Sequence, residues 1–358
     1  MSKFHRLAIA RVDRETRDAV AITFAVPAAL ADLYRYAQGQ HLTLRADIAG
    51  QDVRRSYSIC SAVQDERLRI AVKRDPGGVF STWANETLKA GDTIDVMPPL
   101  GHFNVPLDAT HRKHYVGFAA GSGITPLLSI IKTTLAAEPQ SEFTLFYGNR
   151  ASGTVMFKEE LAALKDIWLT RFNLVHVLSR EAQDIELLHG RIDRVKADAL
   201  LAHWVDLDHV DTVFVCGPDG MMQAVAEALR ARGLPDAKIR IERFATSIPK
   251  HEHRASQAPE PGHAECEVTV VLDGATRTFT LEKGKESILE AGLRAGIELP
   301  YSCKGGVCST CRAKLVGGEV DMDVNFALED YEVARGFVLT CQSYCVTDKV
   351  TVDYDQTA

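Results

Sequence analysis

Three cysteines near the end of this sequence have the spacing of ligands to an iron–sulfur centre. Cys303, Cys308 and Cys311 follow a C-x₄-C-x₂-C pattern, and Cys341 lies 30 positions beyond Cys311. Four thiolates in this pattern hold a [2Fe–2S] cluster. Gly305 and Gly306 let the backbone approach inorganic sulfide without a Cβ clash, and the loop amides can then point at the sulfur atoms. The sequence therefore predicts a cluster held by these four cysteines.

A structural zinc site is the alternative for the same cysteines. Zinc knuckles and ribbons use paired C-x₂₋₄-C units, whereas here Cys341 is far from the other three, which favours the cluster. Cys345 also has a ligand-like position, but we expect it to be a structural residue. An iron–sulfur centre stores one electron and performs no organic chemistry, so another part of the chain must supply electrons to it.

Composition indicates a soluble protein of two or three domains. The chain has 358 residues, of which 46% are hydrophobic and 25% charged, as in ordinary globular proteins. No apolar run has the length of a membrane span, and the first residues do not resemble a signal peptide. Eight cysteines without a secretory signal favour reduced thiols and a cytoplasmic location.

The formal charge of −7 is unevenly distributed. Residues 264–358 contain 16 Asp and Glu against nine Lys and Arg, which accounts for the whole excess. An acidic C-terminal domain argues against nucleic-acid binding and is suited to a protein partner with a basic docking surface. A merely solubilising acidic surface explains the same charge equally well.

The first hundred residues contain short segments of alternating apolar and polar residues separated by turn residues, a pattern typical of a small antiparallel barrel. One helix interrupts them, from Ser81, the expected N-cap, to Leu88. In Arg55-Ser56-Tyr57-Ser58-Ile59, a guanidinium can bind a phosphate while Tyr57 lies against a flat heterocycle. Gly77-Gly78-Val79-Phe80-Ser81 then leads into the helix, whose exposed amides suit a pyrophosphate. Each motif alone is weak evidence. The predicted strands are Phe4–Val12, Ala19–Val26, His41–Ala46, Arg67–Lys73 and Thr93–Met97.

From His114 the pattern becomes strand, helix, strand, which predicts a doubly wound parallel sheet. Two turns fall at carboxyl ends of its strands, where such sheets bind ligands: Gly121–Thr125, with Pro126 expected at the first helical position, and Cys216–Met221. The first is not a full dinucleotide fingerprint, and Cys216 is equally readable as a small core residue. The predicted strands are Tyr115–Ala119, Glu142–Tyr147, Phe172–Leu178, Thr212–Cys216 and Lys238–Ile241, with helices at Leu127–Leu135, Met156–Lys165 and Met221–Arg232.

Residues 247–263 contain three prolines and few apolar side chains, which predicts a semi-extended linker with solvated histidines at 251 and 253. Beyond it, Cys266–Leu272 and Arg277–Leu281 flank Asp273-Gly274 and predict a hairpin. Ser287–Ala295 is typical of a helix, and Gly296 follows it. The predicted domains are a barrel at 1–106, an α/β domain at 107–246, the linker, and a cluster domain at 264–358.

Taken together in this order, the motifs resemble the ferredoxin–NADP reductase superfamily joined to a C-terminal plant-type ferredoxin domain. The resemblance implies a flavin-binding antiparallel β-barrel, a doubly wound NAD(P)-binding domain and a β-grasp [2Fe–2S] domain. It also implies FAD and NADPH as cofactors. The implied flavin-binding residues are Arg55, Tyr57, Ser58, Ile59, Gly78, Val79 and Ser81. The implied nucleotide-binding residues are Gly121, Gly123, Thr125, Cys216, Gly217, Pro218 and Met221, and Glu242-Arg243-Phe244 resembles the segment that closes beside the flavin.

Within the superfamily, the domain order most resembles the reductase components of multicomponent phenylacetyl-CoA epoxidases. The segments Phe4–Leu7, Glu15–Val20 and Pro98–Phe103 carry this narrower resemblance. It implies electron transfer from NADPH through FAD and the cluster to a di-iron oxygenase. A reductase for another mono- or dioxygenase is the nearest alternative, and an iron–sulfur carrier or sensor without a nucleotide site is a second.

Electron counting supports a flavin, since a nicotinamide gives two electrons as hydride while the cluster accepts one. The expected catalytic residues are Tyr57, Ser58, Cys216 and Glu242. Ser179-Arg180 follows the third strand of the α/β domain, and a hydroxyl beside a guanidinium suits a ribose 2′-phosphate. With Arg150 nearby, this predicts NADPH rather than NADH, although Arg180 is also explained as a solvated strand end.

Overall fold

The structure of the chain, a computed structural model, describes residues 4–244 and 265–356. The predicted linker at 247–263, with His251 and His253, lies outside these residues. The described chain forms two units, one drawn mainly from residues 5–244 and the other mainly from residues 265–356. Within the described ranges, no helix is long and apolar enough to cross a membrane.

Six antiparallel strands of the larger unit form the predicted barrel. Their order in the sheet is β4-β3-β6-β1-β2-β5. The two edge strands meet through an antiparallel bridge between Ile59 and Ile70, and the Cys60 N–H donates to the Arg69 carbonyl at 2.8 Å. The sheet is therefore closed on itself around an apolar core. The strands are β1 His5–Thr16, β2 Ala19–Ala25, β3 His41–Ile48, β4 Gln51–Ser58, β5 Leu68–Lys73 and β6 Thr93–Val96.

The helix of the barrel, α1 (Val79–Glu86), begins earlier than the sequence predicted. Gly78 is its N-cap, so the expectation that Ser81 caps the helix is wrong. Ser81 lies inside the first turn, where its Oγ donates to the Gly78 carbonyl at 3.3 Å and accepts from the Asp75 N–H at 3.1 Å. The hydroxyl thus holds the entry loop closed instead of capping the helix.

The second half of the larger unit contains a five-stranded parallel sheet of order β11-β10-β7-β8-β9. The chain winds outward from β7 in both directions, so the order reverses between β7 and β10, and a ligand crevice belongs at the carboxyl ends of these two strands. The elements are β7 His114–Ala120, α2 Ile124–Ala137, β8 Glu142–Asn149, α3 Lys158–Ile167, β9 Phe172–Leu178, α4 Arg194–Trp204, β10 Val210–Cys216, α5 Asp219–Ala231 and β11 Ile239–Glu242.

Two helical details differ from the predictions. Helix α4 was not predicted, because only three of its residues are buried and its apolar periodicity is weak; the Asp193 side chain caps it through the Lys196 N–H. Helix α2 begins at Ile124, so Pro126 lies further into the first turn than expected. At that position the missing proline N–H still costs no intrahelical hydrogen bond.

Helix α2 is buried on nearly every side. Twelve of its 14 residues are buried, because the parallel sheet covers one face and the barrel covers another. The barrel presents the small side chains of Ala19, Ala21, Cys60 and Ala71 to the same core cluster that contains the apolar residues of α2. The barrel and the nucleotide domain therefore share one continuous core.

The smaller unit has a five-stranded mixed sheet of order β13-β12-β18-β14-β16, with β12 and β18 parallel in its centre. The predicted hairpin at Asp273-Gly274 is present, and both residues have positive φ. The predicted helix at Ser287–Ala295 is present as α6, with Ser287 as its N-cap and Gly296 just beyond its end in positive φ. The elements are β12 Glu265–Leu272, β13 Ala275–Glu282, α6 Ile288–Arg294, β14 Arg312–Gly317, β15 Val320–Met322, α7 Asp330–Ala334, β16 Phe337–Leu339, β17 Ser343–Cys345 and β18 Lys349–Asp353.

Candidate functional site

The proposed flavin-binding segment lies at the end of β4. Tyr57 is half-buried, and its ring packs against Phe80 of α1 at a centroid distance of 5.5 Å. Phe80 is itself buried, so it fixes the plane of the Tyr57 ring. Arg55 is exposed, whereas the Ile59 side chain is fully buried at the barrel closure and its N–H donates to the Gln40 carbonyl. Tyr57 therefore presents a held aromatic surface beside the start of α1.

At the start of α1, the backbone of the entry loop is tightly packed and the first helical turn is accessible to a ligand. A Cβ on Gly78 would lie 2.5 Å from the Ser81 Oγ, so the tight entry loop requires glycine there. The helix begins at Val79, whose side chain is exposed. The amides of the first helical turn have no acceptors within the helix, and such an end suits a pyrophosphate group.

The two turns of the nucleotide domain touch each other. A Cβ on Gly123 would lie 2.0 Å from the Cys216 carbonyl oxygen, so no other residue fits without displacing a turn. Gly121 has φ of +54° and its carbonyl accepts from the Tyr147 hydroxyl at 3.0 Å. Thr125 is buried, and its Oγ1 donates to the Ser122 carbonyl. The crevice floor is therefore bare backbone, as a bound dinucleotide requires.

The second turn places a neutral thiol beside this floor. Cys216 is fully buried, and burial raises the pKa of its thiol well above the ordinary value of 9.0, with the nearby Glu242 carboxyl adding to the shift. After Gly217, Pro218 caps α5, and the Met221 side chain covers Gly217 so closely that a Cβ there would lie 2.8 Å from the Met221 Cε. The thiol is thus uncharged at neutral pH.

A hydrogen bond joins the barrel to the nucleotide domain at the predicted catalytic residues. The Ser58 Oγ donates to the Glu242 Oε2 at 3.2 Å. Glu242 ends β11 and is the register partner of Cys216 in β10. Burial raises the pKa of Glu242 to about 8, although the Ser58 hydrogen bond opposes that shift. Glu242 is only partly shielded from solvent as a whole residue, but its carboxyl is enclosed by protein, and enclosure determines its charge.

The predicted 2′-phosphate residues lie at the carboxyl ends of β8 and β9. The strand pairing continues past these strands, with the Ser179 N–H donating to the Asn149 carbonyl and the Arg180 N–H donating to the Arg150 carbonyl. Arg150 and Arg180 are both exposed. The neighbouring Glu181 carboxylate accepts from the N–H and the Oγ of Ser152, which lowers its pKa and ties the two loops together.

The four predicted cluster ligands form two pairs of thiols. Cys303 hydrogen-bonds Cys308, and Cys311 hydrogen-bonds Cys341. In each pair the shared hydrogen bond raises the pKa of the first thiol and lowers that of the second. Each iron of a two-iron cluster takes two protein ligands, so two pairs are the arrangement that such a cluster needs. Among the described residues, no three His, Cys, Asp or Glu side chains converge as a single-ion site would require.

The cluster loop directs backbone amides at the sulfurs. The Gly305 N–H donates to the Cys303 Sγ at 3.3 Å, and the Cys303 N–H donates to the Cys308 Sγ at 3.5 Å. Positive φ angles at Lys304, Gly306 and Ser309 turn the loop in this way. These amides stabilise the deprotonated thiolates, so the residues present fit a [2Fe–2S] cluster.

Cys345 is placed apart from the two pairs. It lies in β17, is buried, and hydrogen-bonds the Cys266 thiol of β12, which raises its pKa. Both cysteines belong to the apolar core of the smaller unit. This placement supports the expectation that Cys345 is structural.

The sequence reasoning missed two features near these sites. Lys73, the last residue of β5, brings its ammonium to 3.8 Å from where a Gly121 Cβ would lie, which adds a cation at the nucleotide turn. Its position at a strand end just before the Gly77-Gly78 loop was the available signal. In the smaller unit, the Tyr354 hydroxyl donates to Thr340, whose Oγ1 donates to the Cys311 carbonyl at 3.0 Å. No local pattern marked Tyr354.

Comparisons with known proteins agree with this geometry. Residues 7–105 match the family described as oxidoreductase FAD-binding domain, residues 118–227 the oxidoreductase NAD-binding domain, and residues 270–346 the 2Fe-2S iron-sulfur cluster binding domain.

Similar proteins cover the whole chain. The chain is 47% identical over 355 residues to one of the subunits of the 1,2-phenylacetyl-CoA epoxidase of Escherichia coli (strain K12), with 99% of each chain covered. It is 33% identical to the ferredoxin reductase component of 3-ketosteroid-9-alpha-monooxygenase of Rhodococcus rhodochrous, covering 97% of this chain and 96% of the relative. The solved structure of phthalate dioxygenase reductase aligns with a TM-score of 0.59 at 26% identity, with 98% of each chain covered.

The pairing of Cys341 with Cys311 gives a test of the ligand set. We expect the Cys341→Ser variant to lose iron and the electron paramagnetic resonance signal of the reduced cluster, because one of the two pairs loses a thiolate. Flavin content should stay normal, since the flavin-binding residues lie in the barrel. The matched variant Cys345→Ser should keep the signal. The reverse pattern, a signal retained in Cys341→Ser and lost in Cys345→Ser, makes Cys345 the fourth ligand.

The raised pKa of Glu242 predicts a pH-dependent stability. The folded protein keeps the Glu242 proton up to about pH 8, whereas the unfolded chain releases it near the ordinary value of 4.5. This carboxyl therefore destabilises the fold progressively as pH rises through that interval. We expect the free energy of unfolding of wild type, measured in urea relative to Glu242→Gln, to fall between pH 5 and about pH 8 and then level.

Ser58→Ala supplies the control for this prediction. Removing a hydrogen bond that lowers the Glu242 pKa in the folded protein should move the upper end of the interval to higher pH and leave its lower end unchanged. A wild-type minus Glu242→Gln difference that does not change with pH contradicts the assignment.

Proposed function

Because the chain belongs to the ferredoxin–NADP reductase-type family, together with its Escherichia coli relative from 1,2-phenylacetyl-CoA epoxidase, we propose that it is the reductase component of a phenylacetyl-CoA epoxidase. It takes electrons from NADPH and delivers them to a di-iron oxygenase that epoxidises the aromatic ring of phenylacetyl-CoA. The observation that carries this proposal is the 47% identity to the Escherichia coli relative over 99% of both chains. That likeness extends through all three domains.

The cofactors are FAD, a nicotinamide nucleotide and a [2Fe–2S] cluster, as the three matched domain families indicate. When bound, the flavin supplies the conversion of a two-electron hydride into single electrons for the cluster. For its binding we propose Arg55 as a phosphate ligand, the Tyr57 ring as a stacking surface, and the first turn of α1 with Gly78 and Ser81 as the pyrophosphate site.

The region proposed for hydride transfer is lined by three polar side chains that are uncharged at neutral pH: Ser58, Cys216 and Glu242. The Glu242 carboxyl, with its pKa of about 8, is protonated at neutral pH and holds its proton beside the Ser58 hydroxyl. The Cys216 thiol is neutral for the same reason, burial. Uncharged groups that can donate or accept hydrogen bonds hold a planar ring edge and a nicotinamide amide without repelling the anionic phosphates nearby.

The donor is proposed to be NADPH rather than NADH. We propose that the part of the nucleotide held by protein backbone lies in the crevice formed by Gly121, Gly123, Thr125 and the Gly217-Pro218 turn. Arg150, Ser179 and Arg180 lie side by side at the exposed ends of β8 and β9, where two guanidiniums and a hydroxyl suit a 2′-phosphate dianion. A ribose 2′-hydroxyl offers these cations no charge to bind.

Electrons are proposed to leave through the acidic domain to a partner with a basic surface. The C-terminal 95 residues hold the entire formal negative excess of the chain, so an encounter with a basic oxygenase surface is favoured and is weakened by salt. The similarity to reductases of 3-ketosteroid-9-alpha-monooxygenase and of glycine betaine monooxygenase keeps another oxygenase as the second candidate partner. A cytoplasmic location is proposed because the eight cysteines, all in the described part of the chain, form no disulfide with one another.

Arg180→Ala tests the nucleotide preference. Loss of a charge-assisted contact costs about 1.5–3 kcal/mol, so kcat/KM for NADPH should fall roughly ten- to hundredfold while that for NADH stays constant. Arg230→Ala, which removes an exposed guanidinium from α5, is the matched control. An unchanged preference in Arg180→Ala shows that Arg180 does not contact the 2′-phosphate.

Reconstitution tests the partner. The purified protein, NADPH, oxygen, phenylacetyl-CoA and the oxygenase components of the epoxidase should together form the epoxide. The rate should fall as ionic strength rises, because exposed charges are screened over about 8–10 Å. Efficient support of an unrelated oxygenase with no epoxide formed overturns the partner assignment and leaves the reductase chemistry intact.

A further inference from the structure

Four charged side chains form a cluster where the barrel meets the nucleotide domain, with both cations buried and both carboxylates partly exposed. We define this interdomain ion cluster as Asp65 and Arg69 of the barrel with Lys132 and Glu160 of the nucleotide domain. Arg69 and Lys132 are each only 8% exposed. The charges alternate in sign, and two of the three contacts cross the boundary between the domains.

The ion pairs that join the two domains are short and well oriented. The Arg69 Nη2 donates to both oxygens of Glu160, at 2.7 and 3.0 Å. The Lys132 Nζ donates to the Asp65 Oδ2 at 2.5 Å and to the Glu160 Oε1 at 2.8 Å, which links the two crossings. The Arg69 guanidinium also lies over the Phe157 ring at 5.2 Å. Each charge is therefore held in one place and one direction.

Neutral hydrogen bonds also cross this boundary: the Val63 N–H donates to the Thr133 Oγ1 and the Gln64 side chain donates to the Lys132 carbonyl, both beside the ion cluster, and Ser58 donates to Glu242 elsewhere. Around the ion cluster, the barrel offers the small side chains of Ala19, Ala21 and Ala71 to the apolar face of α2. Apolar burial favours contact but is non-directional, so a smooth alanine surface permits sliding. Buried ion pairs add little net stability, because desolvation offsets their attraction, but they penalise any arrangement that separates the partners. Together with the neutral hydrogen bonds, the ion cluster therefore fixes the register of the two domains.

Two rigid elements run from the ion cluster to the cofactor turns. Strand β5 starts beside Arg69 and ends at Lys73, which approaches the Gly121 turn. Helix α2 starts at Ile124, directly after Gly123, and reaches Lys132 eight residues later, about 12 Å along the helix axis. A shift at the ion cluster would therefore move the nucleotide turn relative to the barrel.

From this geometry we propose that the interdomain ion cluster positions the nicotinamide against the flavin, and that Lys132 is its central positioning residue. The proposal rests on the hydride transfer described above. Hydride transfer requires the reacting atoms within bonding approach, and a displacement of about 1 Å can cost on the order of a hundredfold in rate. Apart from Lys73 and Glu242, the residues assigned to each cofactor lie within one domain, so a change of register should slow the transfer more than it weakens binding.

Lys132→Met tests the proposal in the holoprotein. It removes the charge and keeps the length of the side chain. In anaerobic single-turnover mixing at saturating NADPH, we expect the rate constant of flavin reduction to fall at least about tenfold. The dissociation constant of NADPH, from the concentration dependence of that rate, should change by less than about twofold, and flavin content should be normal. Lys132→Arg, which keeps the cation, should recover most of the rate.

Two further variants separate positioning from stability. Glu160→Gln keeps the shape of the shared anion but removes its charge and one of its two acceptor oxygens, so it should slow reduction in the same sense. This variant serves if Lys132→Met does not fold. Arg232→Met removes an ion pair of similar length between α4 and α5, inside the nucleotide domain, and should leave the rate unchanged.

Three outcomes overturn the proposal or its premise. Wild-type reduction rates in folded Lys132→Met and Glu160→Gln, with only the unfolding temperature lowered, show that the ion cluster is merely stabilising. A raised NADPH dissociation constant at an unchanged rate shows that it acts on binding. A wild-type protein whose flavin neither NADPH nor NADH reduces refutes the reductase function itself, independently of any variant.

Discussion

The contact between two backbone turns controls the geometry of the nucleotide site. Gly123 and the Cys216 carbonyl approach so closely that a single added carbon would lie 2.0 Å from the oxygen. The contact holds the carboxyl ends of β7 and β10 together at the point where the strand order reverses. Neighbouring contacts lie on the same two turns, where the Tyr147 hydroxyl donates to the Gly121 carbonyl and Met221 covers Gly217.

Charge is handled differently at the two functional centres. In the larger unit, burial keeps Cys216 and Glu242 neutral, so these two groups add no negative charge beside the crevice. In the smaller unit, backbone amides directed at the sulfur atoms of Cys303 and Cys308 favour thiolates, because iron must be bound by anions. One chain thus raises the pKa of one thiol by burying it and lowers that of another by giving it hydrogen-bond donors.

Much of this arrangement could be predicted from local sequence, and the reasons for the exceptions are physical. The cysteine spacing, the Asp273-Gly274 hairpin and the strand-to-helix turns are determined by residues close in sequence, so pattern alone predicts them. The cap was wrongly predicted at Ser81 because a hydroxyl near a helix start fits a cap and an entry-loop contact equally well. Helix α4 was not predicted from the sequence because few of its residues are buried, so its apolar periodicity is weak. Contacts between distant segments left no pattern at all: Lys132 in an apolar helix is typical of an exposed residue until the barrel is seen to cover it.

The double burial of α2 has a consequence for how such reductases diversify. The recognisable flavin and nucleotide segments end and begin between residues 105 and 118, which invites exchange of whole domains between relatives. The core does not divide there, because α2 shares a core cluster with the barrel and carries one half of a charge network. A chimera cut at that junction would expose an apolar helix. It would also leave Arg69 facing a foreign surface without its ion-pair partner. Recombination at this seam must therefore exchange α2, α3 and the facing barrel strands as one block.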